Sequence, residues 1–181
     1  MDLIKDKDYE VLLFTDDIDE FMVQVMQSYG ETPFKSIQQA DTDLLDDIKK
    51  EDLKEKEKEN KDILKSIKKA LKDKVKDVKL SYRLKESAVC LVSGEGISME
   101  MEKILNQMPN SKEVKADKIL EINPDHELFI ALKKIYEKDE KKIDDYSNIL
   151  YHQALLLEGL PIEDPTEFSN QLVKLMIDSS K

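Results

Sequence analysis

The sequence contains no tryptophan and one cysteine, Cys90, among its 181 residues. A single cysteine excludes an internal disulfide and is typical of a reducing compartment. Because Cys90 lies within the apolar run Ala88–Val92, we expect a small buried strand residue and not a reactive thiol. No stretch approaches the roughly 20 apolar residues of a membrane span, and the first residues form no apolar signal region. These absences predict a cytoplasmic protein with no membrane partner.

Basic residues are also in deficit. The chain has 29 Lys and Arg against 40 Asp and Glu, for a net charge of −11. Affinity for a phosphate backbone comes from clustered positive charge, so nucleic acid is not an expected partner. The hydrophobic fraction of 40% is enough for a core, but 38% charged residues indicate a thin core under a heavily solvated surface.

The hydrophobic patterns predict an α+β protein with a small three-stranded sheet and helices. The expected strands of that sheet are 78–84, 88–93 and 118–122. A partial α/β subdomain precedes it, with a strand at Tyr9–Phe14, a helix at about Asp16–Ser28 and a possible short strand at Thr32–Ile37. Residues 41–61 are almost all charged or polar and read as a linker or as the start of a long helix. The helix that begins after Asn123 is expected to have Pro124 at its first position.

Two helical stretches near the C-terminus carry more apolar surface than the chain can cover by itself. The turn Gly159–Pro161 makes them antiparallel neighbours. A hairpin buries only part of each stripe, and a second copy of the same hairpin would cover the rest, giving a four-helix interface with two-fold symmetry. The expected homodimer interface consists of apolar and aromatic side chains of both helices: Tyr146, Ile149, Leu150, Leu156, Leu157, Phe168, Leu172, Leu175 and Met176.

A shorter amphipathic helix, from Ser98 to about Met108, has two readings. Its apolar stripe, Ile97, Met101, Ile104, Leu105 and Met108, can pack on the sheet, as in most short amphipathic helices. It can also remain exposed for partners, since methionine is flexible and polarizable. Periodicity does not separate these readings.

The acidic cluster Asp16–Glu20 is the one place that resembles a catalytic site. Carboxylates after a hydrophobic strand can hold magnesium, so a small magnesium-dependent hydrolase is a rival function. Helix capping explains the same residues without an ion. His126 and His152 have no ligands at zinc spacing, and we assign no catalytic or metal residue. A coiled-coil adaptor using Glu51–Val75 is a third reading, but its apolar spacing covers too few heptads.

Four blocks carry a family resemblance. They are YEVLLFTDDIDEFMVQ (Tyr9–Gln24), KLSYRLKESAVCLVSGEG (Lys79–Gly96), KILEINPDHEL (Lys118–Leu128), and LLLEGLPIEDPTEF with its trailing QLVKLM (Leu155–Met176). In this order they resemble the C-terminal third of the heat shock protein 90 family, most closely its bacterial HtpG-type chaperones.

The resemblance implies that residues 1–40 are the end of a middle domain, its small α/β subdomain, and that 62–181 are a C-terminal dimerisation domain joined by 41–61. It implies a homodimer that binds partly unfolded client proteins, with co-chaperones as further partners. The family's ATP and magnesium site belongs to an N-terminal domain absent here, so no enzyme activity and no cofactor are expected of this chain. The short amphipathic helix becomes a client-binding element, through Ile97, Met101, Ile104 and Leu105, which are then expected to be exposed. Phe21 and Gln24 are secondary candidates on the preceding subdomain.

Overall fold

The computed structural model describes residues 10–39, 47–109 and 113–180. The chain divides into two compact units, the first formed by Met1–Leu45 with Val92–Asp117 and the second by Asp46–Leu91 with Lys118–Lys181. This division differs from the sequence-based boundary, because the segment 92–117 belongs with the N-terminal residues. The assignment of 1–40, 41–61 and 62–181 to domains of a larger protein stays a prediction.

The elements follow the chain in the order α1 (Asp17–Met26), β1 (Ser28–Tyr29), β2 (Thr32–Pro33), α2 (Asp47–Glu59), α3 (Lys61–Leu71), a 3-10 turn (Lys72–Lys74), β3 (Asp77–Leu80), β4 (Val89–Ser93), α4 (Met99–Gln107), β5 (Lys118–Ile122), α5 (Glu127–Lys138), α6 (Lys142–Leu157) and α7 (Pro165–Ser179). The predicted α+β class, the three-stranded sheet and the C-terminal helical hairpin are confirmed. The predicted four-helix interface is a property of two copies and stays a prediction.

In the first unit, the strand predicted at Tyr9–Phe14 is wrong for its described residues. Residues 10–14 have no strand structure, and Leu13 is 70% exposed. A β-strand exists only where a neighbour accepts its backbone hydrogen bonds, and within the described residues this run has none. The second predicted strand is shorter than expected, since β2 pairs with β1 in a two-residue hairpin.

The core of the second unit forms around the sheet. α3 has a narrow apolar stripe at helical spacing, Ile63, Leu64, Ile67 and Leu71, and all four side chains are buried. α3 packs on β3 and on α6. Of the two alternatives for residues 41–61, the start of a helix is confirmed from Asp47 onward, because α2 is helical to Glu59.

The sheet has the strand order β3–β5–β4. β3 and β5 are parallel, with Val78 opposite Leu120 and Leu80 opposite Ile122. β5 is buried from Ile119 to Ile122, as expected of the central strand. Immediately after β5, the Asn123 side chain donates hydrogen bonds of 3.2 Å to the carbonyls of Lys85 and Ser87, which fixes the connection between β3 and β4.

The predicted start of the next helix at Pro124 is wrong by three residues. Asn123 Oδ1 accepts a hydrogen bond of 3.0 Å from the backbone N–H of Asp125, which makes Pro124 part of a turn. α5 begins at Glu127, and His126 is its N-cap: Nδ1 accepts a 3.0 Å hydrogen bond from the N–H of Leu128. A side-chain acceptor at this position satisfies one of the free N–H groups of the first turn.

Candidate interaction surfaces

The turn between α6 and α7 is determined by local sequence. Gly159 has φ +67°, in the left-handed region that favours glycine. Its N–H donates to the carbonyl of Leu156 at 3.2 Å, and the N–H of Leu160 donates to that of Leu155 at 2.9 Å. These two bonds satisfy two of the last four carbonyls of α6. Asp164 then caps α7, since its Oδ1 accepts from the N–H of Glu167 at 2.8 Å.

The two helices of this hairpin differ in burial. α6 has one face in the core of the second unit, and the residues of that face are Ile143, Ser147, Leu150, Tyr151, Ala154 and Leu155. α7, which is described along its whole length, has no buried residue. Met176 is 70% exposed, Ile177 53% and Val173 51%, while Leu156 and Leu157 at the end of α6 are 56% and 58% exposed. The apolar stripe of α7 is therefore left largely uncovered in a single chain.

The predicted interface residues divide into three groups. Leu156, Leu157 and Met176 are exposed, while Tyr146, Ile149, Phe168, Leu172 and Leu175 are half-buried. Leu150 is 3% exposed and belongs to the core, because it follows Ile143 and Ser147 at helical spacing on the buried face of α6. Val173 and Ile177, also exposed on α7, were not predicted as interface residues, although Val173 is part of the apolar pattern. The interface role of these residues stays a prediction.

A second apolar surface lies within the first unit, where α1 contacts α4. A cleft of about 420 Å³ is lined by Asp17, Ile18, Phe21, Ile104, Gln107, Met108 and Pro109. Phe21 and Ile104, both predicted as client-binding residues, therefore line one cleft of the first unit. Ile18 is 69% and Met108 44% exposed, so the cleft presents apolar side chains to solvent.

The expected exposure of the α4 stripe is wrong for two of its four residues. Met101 is 3% and Ile104 6% exposed, whereas Ile97 and Leu105 are half-buried. Met101 and Ile104 are three positions apart and occupy the packed side of α4, which explains their shared burial. Gln24 is exposed but does not line the cleft. Ile18 was missed as a candidate, and Met108 was predicted as part of the apolar stripe but not assigned to client binding.

Ser98 connects the two helices of this unit. Its Oγ accepts a 2.9 Å hydrogen bond from the N–H of Met101, which caps α4, and donates to the carboxylate of Glu20 on α1. Serine at this position is a strong N-cap.

The acidic cluster Asp16–Glu20 has structural roles. Asp19 Oδ2 accepts hydrogen bonds of 3.2 Å from the backbone N–H groups of Thr15 and Asp16, so this carboxylate closes the start of α1. Glu20 is engaged by Ser98. Among the described residues, no group of three His, Cys, Asp or Glu side chains is arranged to hold a metal ion. The magnesium-dependent hydrolase is therefore not supported.

A buried ionic group lies at the end of β5. Arg83 Nε is 2.9 Å from Glu121 Oε2, and Ser81 Oγ donates to the same oxygen at 2.8 Å. Burial raises the pKa of Glu121, and Arg83 and the hydrogen bonds oppose this shift. Burial, with the neighbouring Glu121 charge, also raises the pKa of the Cys90 thiol to about 12. An inert thiol agrees with the sequence-based reading of Cys90.

None of the helices in the described ranges is long and apolar enough to cross a membrane.

Comparison with known proteins gives a consistent result. A family model described as Hsp90 protein matches residues 1–180. The chaperone protein HtpG of Bacillus subtilis (strain 168) is 48% identical over 176 residues, which are 97% of this chain and 28% of that protein. The chaperone protein HtpG of Clostridium botulinum (strain Langeland / NCTC 10281 / Type F) is 49% identical over 173 residues, 96% of this chain and 28% of that protein. The chain thus spans 28% of the length of these relatives.

Proposed function

Since the chain belongs to the Hsp90 protein family of chaperones, we propose that it is the self-associating, client-binding part of a chaperone of this family. The hairpin of α6 and α7 joins two copies, and the α1–α4 cleft binds apolar segments of partly unfolded proteins. The observation that carries this proposal is the uncovered apolar stripe of α7, which has no buried residue in a single chain.

The hairpin supports association through a second copy because both of its helices expose large apolar side chains. Leu156 and Leu157 are at the end of α6, and Val173, Met176 and Ile177 are in the second half of α7. The three residues of α7 share one face at i, i+3 and i+4 spacing, and monomeric soluble proteins rarely leave a large continuous apolar patch in water. A two-fold axis would bring the same stripe of each copy together, so each of these residues would be buried once in each copy and contribute twice to the dimer.

Substitution of Met176 tests the dimer. Burying a methionine side chain contributes about 1.5–3 kcal/mol, so Met176→Asp in both copies is expected to raise the dissociation constant roughly a hundredfold or more. Sedimentation equilibrium across micromolar concentrations measures this change. Ile130→Asp is the matched control, because Ile130 is an exposed apolar residue of α5, 44% exposed, outside the hairpin. A parent chain that remains monomeric, or equal weakening by both substitutions, would contradict the dimer.

Client binding at the cleft is supported by exposed, adaptable apolar side chains. Ile18 and Met108 face solvent beside Phe21, and methionine adapts to varied partners. Two clefts in one dimer would raise the effective concentration of the second for a client bound to the first.

The test uses residues that are exposed, since substitution of the buried Met101 would destabilise the fold. Ile18→Asp with Met108→Asp is expected to reduce suppression of the aggregation of a destabilised protein, measured by light scattering. Ile130→Asp again serves as the control. Undiminished suppression by the double variant, with an intact fold by circular dichroism, would exclude the cleft as the client site.

We propose that ATP hydrolysis by the whole protein depends on residues outside this chain, which spans 28% of its relatives. The chain alone is then expected to give no ATP turnover. Because a ligand that binds the folded state raises the melting temperature, we also expect Mg-ATP to leave the melting temperature unchanged. An increase that grows with the Mg-ATP concentration would contradict this proposal.

A further inference from the structure

His152 lies where the two helices of the hairpin meet. It is on α6 and is 5% exposed. Its ring stands edge-on to the ring of Phe168 on α7, with centroids 5.2 Å apart. Phe168 is in the first turn of α7, so this contact holds the start of α7 against α6.

The surroundings of the ring suit only its neutral form. Nδ1 of His152 is buried and has no hydrogen-bond partner in the described part of the chain. A neutral imidazole can leave one nitrogen as an unpaired acceptor, but an imidazolium donates from both nitrogens. Protonation would therefore put a hydrogen on the buried Nδ1, which has no acceptor within the described residues, and unpaired buried donors are costly.

The charges around the ring act in both directions. Lys74, from the 3-10 turn, disfavours a second positive charge; its Nζ is bound to Asn148 Oδ1 at 2.9 Å and lies 5.7 Å from the Tyr151 ring centroid. Glu167 on α7, with Glu163 and Asp164 in the connection, favours protonation. Burial first, then Lys74, prevail over these acids and lower the pKa of His152 from its ordinary value.

We propose that His152 is an acid-sensitive lock on the hairpin: protonation of its ring weakens the packing of α7 on α6 and, through it, the self-association of the chain. The part about association rests on the proposed function.

The direction of the pH effect follows from linkage. The unfolded chain binds a proton at His152 near the ordinary pKa of about 6.5, and the folded chain only at lower pH. The stabilising contribution is therefore fully present above about pH 6.5 and is lost as the pH falls toward the pKa of the folded state.

A nuclear magnetic resonance titration tests the lock directly, because the chain has two histidines and so two sets of imidazole signals. The substitution His126→Asn identifies the signals, and asparagine retains an N-cap acceptor for α5. We expect His152 in the folded chain to titrate below pH 6.5, with changes in the α7 amide signals that share its midpoint. A midpoint at or above about 6.5, or α7 amides insensitive to it, would overturn the proposal.

The dissociation constant, measured for the parent and for His152→Gln at about pH 7.5 and pH 5.5, tests the consequence. The parent is expected to weaken several-fold more than the variant on acidification. Equal pH dependence in both chains overturns the lock and leaves the dimer intact. If the parent is monomeric at both pH values, the dimer is overturned instead. Hydrogen exchange of the α7 amides then tests the lock: exchange that is faster at low pH in the parent but not in His152→Gln supports it, and equal exchange in the two chains overturns it.

Discussion

Glu121 and Arg83 form a buried ion pair, with Oε2 of the glutamate 2.9 Å from Nε of the arginine and side-chain exposures of 4% and 15%. Glu121 is on the central strand β5, and Arg83 is in the connection that follows β3. Ser81 donates to the same carboxylate oxygen. The pair therefore fastens the β3–β4 connection to the middle of the sheet.

Arg83→Met is expected to destabilise the chain by about 3–5 kcal/mol, because it leaves the Glu121 carboxylate buried without its partner. Urea unfolding at neutral pH measures the loss. The exposed pair Lys56–Asp125, with side chains 44% and 77% exposed, provides the control: Asp125→Asn should cost less than about 1 kcal/mol. Comparable losses for the two variants would show that burial does not distinguish the pairs.

The loss in the free energy of unfolding caused by Arg83→Met should also depend on pH. The pKa of Glu121 is already raised by burial, and Arg83 opposes this shift. Without the arginine the folded state takes up a proton at Glu121 more readily than the unfolded state, so the folded state gains stability as the pH falls. We expect the difference between parent and variant to shrink on acidification, measured by unfolding at several pH values. A constant difference would place the loss in packing and not in charge.

Ser98→Ala should destabilise the first unit by about 1 kcal/mol, since it removes both the cap of α4 and the hydrogen bond to Glu20 on α1. Ser98→Asp retains a capping oxygen but has no hydrogen to donate to the Glu20 carboxylate, so the pair of variants separates the two roles. Hydrogen exchange of the α4 amides is the measurement. If alanine leaves their protection unchanged, the cap is not a source of stability.

Cys90 should be almost inert in the folded chain. Thiolate is the reacting form, and a pKa of about 12 in place of 9.0 reduces its population roughly a thousandfold at neutral pH. Alkylation by iodoacetamide, followed by mass spectrometry, should be slower by about that factor than in the same chain unfolded in urea. Rapid alkylation of the folded chain would contradict the burial of this thiol.

Sequence predicted best those features that depend on local chemistry. The turn Gly159–Pro161 and the apolar periodicity on either side of it predicted the α6–α7 hairpin, because turn chemistry and periodicity operate over a few residues. The prediction that α5 starts at Pro124 was wrong, because the Asn123 side chain forms a turn that includes Pro124 and His126 caps the helix, which begins three residues later.

Features that depend on distant contacts were beyond the sequence. The burial of Met101 and Ile104, 3% and 6% exposed, depends on the packing of α4 within the first unit and not on its own periodicity. The pairing of Glu121 with Arg83 joins residues that no spacing rule relates. Periodicity predicted the apolar residues of the interface on both α6 and α7. It could not predict that Leu150 on α6 is buried in the core while Met176 on α7 is exposed, because that difference depends on how each helix packs.

Gly159→Ala is expected to destabilise the hairpin by about 1 kcal/mol, because φ of +67° strains any residue with a Cβ. A Cβ at this position would meet no atom within 4 Å, so the cost is conformational and not steric. Gly159→Asn should cost less, since asparagine tolerates the left-handed region better than alanine. Thermal unfolding ranks the three chains, and the order glycine, asparagine, alanine is the expected result. If alanine equals glycine in stability, the left-handed turn does not determine how α6 ends, and Leu155 and Leu160 would have to position α7 by their packing alone.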